Sequence, residues 1–104
     1  MGRRYGLACP VAKALDILGE KWTLLLVRDL LVCGPRRFRD FQESLEGITP
    51  SALSTRLKTL EEAGLVSRQF YSDHPPRAEY VLTSKGRELG PIVGGLRDWG
   101  DRNL

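Results

Sequence analysis

The side chains with the most chemistry to offer lie between Thr49 and Glu62. On a helix at about 100° per residue, Ser51, Thr55, Lys58 and Glu62 share one face, with Ser54, Arg56 and Thr59 on its flanks and Leu53, Leu57 and Leu60 opposite. The N-terminal half of the polar face has short hydroxyls and no acid; Glu61 and Glu62 stand at the far end. Such a face suits a polyanion. Small hydroxyls let the backbone come close, Lys and Arg reach base edges or phosphates in a duplex groove, and a helix N-terminus favours a phosphate. The same pattern also describes an ordinary solvated helix face, so the decision rests on the surroundings. Arg36, Arg37 and Arg39 sit just upstream, at the start of a preceding short helix, and His74 and Arg77 sit downstream. Arg37, Arg39, Arg56 and Arg77, with His74, can hold phosphates or an adjacent minor groove.

Two cysteines offer a different chemistry. Cys9 directly precedes Pro10, at or beside a helix N-terminus where the dipole favours a thiolate, and Lys13 and Arg4 are close in sequence. It fits an oxidant sensor or an inert thiol near an interface. Cys33 ends an apolar helix and reads as inert core. Catalysis finds no support. There is one His, with no Ser/His/Asp order, no paired carboxylates at a pocket and no Gly-rich phosphate loop. Cys9, Cys33 and His74 lack metal-ligand spacing, so neither metal nor cofactor is expected. Phe70, Tyr71 and Tyr80 can stack single-stranded bases, but packing within a strand is the plainer role.

Those residues must be positioned by something, and the punctuation of the chain says what. Residues 1–9 read as an arm. Pro10 starts a helix carrying Val11, Ala14, Leu15 and Leu18, which Gly19 stops. A second helix from about Glu20 to Val32 is apolar on most sides and reads as the buried centre. Gly34-Pro35 breaks it. A short helix over Phe38–Leu45 ends at Gly47, Thr49-Pro50 caps and starts the next, and Gly64 stops that one. From Leu65 to Tyr71 and from Arg77 to Leu82 the pattern turns β-like, a hairpin around the loop Ser72–Pro76. Thr83 caps a last helix, kinked at Gly90-Pro91, with Leu89, Ile92, Val93, Leu96 and Trp99 on one stripe. The expected fold is mainly α with a small β-hairpin wing (α+β): a winged helix-turn-helix with added N- and C-terminal helices, in one domain over 1–104. The last stripe lies beyond the wing and would stay partly exposed in a monomer, so it is the expected dimer interface.

Composition sets the outer limits. Sixteen Lys and Arg against 13 Asp and Glu give a net charge of +3, which permits a polyanion partner without demanding one. No signal peptide opens the chain and no apolar run is long enough for a bilayer, so the expected place is the cytoplasm, with reduced thiols and no membrane partner.

Over essentially its whole length the chain resembles the HxlR-type winged helix-turn-helix transcriptional regulators. The residues that carry the resemblance are Cys9-Pro10-Val11, Leu18-Gly19-Glu20-Lys21-Trp22-Thr23, Arg37-Phe38-Arg39-Asp40-Phe41, Gly47-Ile48-Thr49, and Leu53 through Glu61. They continue through Gly64-Leu65-Val66-Ser67-Arg68, Pro75 through Thr83, Lys85-Gly86 and Trp99. The resemblance implies a dimeric repressor or activator on double-stranded DNA, joined through its first and last helices, and a sensing role for a cysteine at the position of Cys9, with an oxidant or small molecule as effector. The expected DNA contacts are Ser51, Ser54, Thr55, Arg56 and Lys58 from the recognition helix and Arg37, Arg39, His74 and Arg77 from the flanks. Glu20 departs from the pattern, standing where a second Gly is more usual, and Gly94-Gly95 weakens the last helix. The rival reading is a winged-helix protein-interaction module without specific DNA binding.

Overall fold

The computed structural model describes residues 9–104. Of the arm expected over 1–9, only Cys9 falls among them; Arg4 lies outside the described residues. In chain order the elements are α1 (Pro10–Leu18), α2 (Thr23–Cys33), α3 (Phe38–Ser44), α4 (Pro50–Glu62), β1 (Val66–Asp73), β2 (Pro76–Leu82), α5 (Ser84–Arg87) and α6 (Gly90–Asn103). This is the winged helix-turn-helix order, with α3 and α4 as the helical pair and β1–β2 as the wing.

The core forms where the apolar faces of α2, α3 and α4 meet. Leu26, Val27, Phe41, Leu53, Leu57 and Leu60 are all but fully buried, each contributing roughly 1.5–3 kcal/mol of transfer free energy. Leu65, Val66 and Leu82 close the core from the root of the wing, and Leu89 closes it from the last segment. Phe41 also meets Tyr80 of β2, ring centroids 6.2 Å apart, which seats the wing on α3.

The antiparallel wing pairs Val66 with Leu82 through Phe70 with Ala78, then shifts so that Ser72 faces Arg77. Tyr71 is thus the extra residue of a β-bulge. Arg36 adds a short third pairing on the other edge of β2: its N–H donates to the Tyr80 carbonyl at 3.0 Å and its carbonyl accepts from the Tyr80 N–H at 2.7 Å.

Three expectations need correction. The second helix starts at Thr23 rather than Glu20, because a Glu20 Oε1 accepts from the Trp22 N–H at 2.7 Å and from the Thr23 hydroxyl at 3.3 Å, so Glu20 forms a turn in front of the helix. Its far end is not buried: Val32 is 76% exposed and Cys33 is exposed as well, so Cys33 is not core. Gly90-Pro91 does not kink one long helix but separates two. Thr83 caps α5, accepting from the Gly86 N–H at 3.0 Å, the chain turns at Glu88 and Leu89, and Pro91 falls in the first turn of α6, where its missing N–H costs nothing.

Buried charge ties the centre to the wing. Asp29 of α2 is 5% exposed. Arg28 donates to its Oδ1 at 3.0 Å, and the Arg36 guanidinium lies 3.7 Å from its Oδ2. The same Arg36 side chain donates to the Asp40 carbonyl in α3. Asp29 thus joins α2 to Arg36, and Arg36 in turn reaches α3 through its side chain and β2 through its backbone.

Candidate nucleic-acid interface

The turn between α3 and α4 places the recognition helix. Gly47 has φ +90°, a conformation that L side chains rarely adopt, which reverses the chain sharply while Leu45 and Ile48 drop into the core on either side. Thr49 then caps α4, its hydroxyl accepting from the Ala52 N–H at 3.0 Å, and Pro50 occupies the first turn. Gly64, at φ +78°, ends the helix and turns the chain into the wing.

With Leu53, Leu57 and Leu60 buried, Ser51, Ser54, Thr55 and Lys58 are all exposed along the outer side of α4. The first turn carries no acidic residue. Arg56 is different. It lies on the flank, its side chain is 25% exposed, and its Nε sits 3.9 Å from Glu20 Oε1. Of the residues expected on DNA, Arg56 is thus already engaged within the chain, with Glu20 as its partner.

Beside α4, the start of α3 and the wing enclose an open cleft lined by Arg37, Arg39, Tyr71, Pro75, Pro76 and Arg77. Three of the expected phosphate-binding arginines therefore meet in one place. His74 is exposed at the tip of the hairpin. The hairpin aromatics divide. Tyr80 packs against the core as expected of a strand residue, but Phe70 and Tyr71 are 58% and 45% exposed. Each lies under a guanidinium: Arg68 over Phe70 at 5.5 Å and Arg37 over Tyr71 at 5.0 Å. Both therefore depart from the strand packing expected of them. Adjacency alone signals only that one of the two must face away from the core, since neighbours in a regular strand face opposite sides.

Along the last helix, the expected interface stripe splits. Leu89 is only 8% exposed and belongs to the chain's own core, and Val93 is half-buried against that core. Ile92, Leu96 and Trp99 remain exposed, as do Val11 and Leu15 of α1. Between α2 and α6 runs a groove lined by Leu24, Leu25, Val32, Val93 and Leu96, with Arg28 and Arg97 beside them. Cys9 is exposed at the start of α1, its carbonyl accepting from the Lys13 N–H at 3.0 Å. Among the described residues no cluster of His, Cys, Asp and Glu is placed to hold a metal ion, and no helix is long and apolar enough to cross a membrane.

Comparison with known proteins identifies the arrangement. The family model described as HxlR-like helix-turn-helix matches residues 17–104. The chain belongs to the HxlR-like helix-turn-helix family. One relative in it, the HTH-type transcriptional regulator YdeP of Bacillus subtilis, is 39% identical over 94 residues, covering 90% of this chain and 73% of YdeP. Among solved structures, the redox regulator HypR in its oxidized form superposes with a TM-score of 0.86 at 40% identity, covering 92% of this chain and 98% of HypR. A transcriptional regulator described as MarR family, from Porphyromonas gingivalis W83, superposes with a TM-score of 0.88 at 32% identity, over 98% and 99% of the two chains. This HxlR-type chain is therefore a winged helix-turn-helix regulator that binds DNA, and not an enzyme.

Proposed function

We propose that this HxlR-type protein acts in the cytoplasm as a homodimeric repressor or activator on an inverted-repeat operator. The observation that carries the reading is the outer face of α4: Ser51, Ser54, Thr55 and Lys58 exposed together, no acid in the first turn, and the arginine-lined cleft alongside. In this reading α4 enters the major groove, where hydroxyls and Lys58 meet base edges, while Arg37, Arg39 and Arg77 take backbone phosphates and His74 reaches the adjacent minor groove. Arg56 contributes less, because Glu20 already holds it. A two-fold axis puts the second α4 one helical turn away, about 34 Å, which is why the operator is an inverted repeat.

The test is fluorescence anisotropy of a labelled duplex from the DNA flanking the protein's own gene, against a scrambled duplex at physiological salt. The expected preference is at least about 1,000-fold. Equal, weak and salt-sensitive binding to both would reduce the protein to backbone attraction on these sequences, and no binding to either would favour a protein-interaction module.

Cys9 supplies the regulatory half of the proposal. It is exposed at the beginning of α1, next to the surface proposed for dimerisation, and the similar HypR is a redox regulator. Diamide or a quinone is expected to change operator affinity in the wild type and in Cys33→Ser, and to leave Cys9→Ser unaffected. An unchanged response in Cys9→Ser would remove Cys9 from the mechanism.

A further inference from the structure

The arginines of this chain differ in how they are held, and that difference singles out one aromatic residue. Arg28 and Arg36 meet Asp29, Arg56 meets Glu20, Arg68 meets Glu61, and Arg97 meets Asp98, each within 4.0 Å of a carboxylate. In each, a carboxylate beside the guanidinium offsets part of its field. Among the described residues Arg37 makes no such ion pair. Its guanidinium carbon instead lies 5.0 Å from the centre of the Tyr71 ring. A ring face attracts a guanidinium without neutralising it. Arg37 therefore has a ring face and no carboxylate as its side-chain partner among the described residues, at the wall of the cleft it shares with Arg39 and Arg77.

Tyr71 reaches that position because of the bulge. Phe70 pairs with Ala78 and Ser72 with Arg77, which leaves Tyr71 with no partner on β2. An inserted residue of this kind bends the strand and re-aims a side chain. Regular pairing would have placed Phe70 and Tyr71 on opposite faces of the hairpin, each set by alternation alone. The root of Arg37 is fixed as well, since its backbone N–H donates to Asp40 Oδ2 at 2.9 Å. That carboxylate closes the start of α3 rather than pairing with the guanidinium. The cleft lining itself holds no acidic residue.

We propose that Tyr71 is a positioning residue for DNA binding: from the β1 bulge it holds the Arg37 guanidinium, un-neutralised, where a backbone phosphate enters the cleft between α3 and the wing. The proposal rests on the DNA-binding reading and adds to it a residue that makes its contribution through Arg37. A pre-oriented cation loses less freedom on binding than a free one.

A phosphate contact is independent of sequence, so the experiment needs no operator. Affinity for a generic 20-bp duplex is measured across a salt series for the wild type, Tyr71→Ala, Tyr71→Phe, Arg37→Ala and the Tyr71→Ala/Arg37→Ala double variant, with folding checked by circular dichroism. Arg37→Ala is expected to reduce the slope of log K against log salt by about 0.9 for each protomer on the duplex, about 1.8 for a bound dimer. Tyr71→Ala is expected to lose roughly threefold to tenfold in affinity with part of that slope, and Tyr71→Phe, which keeps the ring face, to match the wild type. The double variant is expected to lose no more than Arg37→Ala alone. Wild-type affinity in Tyr71→Ala overturns the role of Tyr71, and wild-type behaviour in Arg37→Ala overturns the phosphate site, each leaving the α4 reading intact. Additive losses in the double variant overturn positioning in favour of direct contact by Tyr71. A wild type that binds no duplex even at low salt overturns the DNA-binding reading together with this one.

Discussion

At the scale of single residues, the outer side of α4 separates side chains that are free from those already engaged. Lys58 is exposed and makes no ion pair within 4.0 Å among the described residues, whereas Arg56 is one-quarter exposed and 3.9 Å from Glu20. Lys58→Ala is therefore expected to weaken binding by about tenfold at each half-site, the effect of one base or phosphate contact, without a change in melting temperature. Arg56→Ala is expected to cost less in DNA affinity than Lys58→Ala. Anisotropy titrations beside thermal melts check both, and equal affinity in Lys58→Ala would take Lys58 off the interface. The helical period makes the exposed face legible in the sequence, since Leu53, Leu57 and Leu60 must point inward together. The Glu20–Arg56 contact was not legible, because it joins residues 36 positions apart in sequence and depends on how α2 and α4 cross. Nor was the position of Tyr71, which follows from a strand register that no local pattern prints.

At the scale of elements, most stops and starts were written in the chain, the start of α2 and the break before α6 excepted, and the connections between elements were not. Pro10, Thr49-Pro50, Gly64 and Thr83 each mark a boundary that the structure places within a residue or two, because capping and positive φ are local requirements. Asp29 shows the contrast. In sequence it interrupts an apolar helix without an evident reason; in the structure its carboxylate joins α2 to Arg36, and Arg36 is paired with Tyr80 of the wing. Removing it leaves Arg36 with a charge in a place built for a pair. Arg28 is 43% exposed and Arg36 21%, so water recovers part of the loss. Asp29→Ala is expected to destabilise the fold by about 2–3 kcal/mol, at or below the low end for a broken buried pair, a fall in Tm on the order of 10 °C. It should also loosen the wing, seen as faster amide exchange at Tyr80, whose N–H bonds the Arg36 carbonyl. A melt and exchange profile equal to wild type would show that the carboxylate does not connect these elements.

At the scale of the whole molecule, the two terminal helices leave their apolar residues uncovered. α1 has nine residues and buries only Leu18, while Val11 and Leu15 are 67% and 55% exposed. A helix that short is marginal on propensity alone and needs a surface to pack on. α6 buries no residue, exposes Ile92, Leu96 and Trp99, and carries Gly94, Gly95 and Gly100, each a loss of about 1 kcal/mol of intrinsic helix stability relative to Ala. A β-carbon at Gly95 would meet nothing within 4 Å, so the protomer's own packing does not require glycine there. Close approach by a second backbone would require it, and a second copy of the chain, bringing α1 and α6 against these same faces, accounts for the exposure and the glycines together. Light scattering is expected to show a dimer. Leu96→Glu, which puts a charge in the middle of the exposed stripe, is expected to give a monomer with less helical signal, because α1 and α6 lose the packing that stabilises them. Operator affinity should then fall far more than affinity for a single half-site, since only the linked pair of α4 helices gains from both half-sites at once. If Leu96→Glu stays dimeric at micromolar concentration and holds its operator as the wild type does, the stripe is not the interface, and the exposed residues of α1 and α6 must face some other partner.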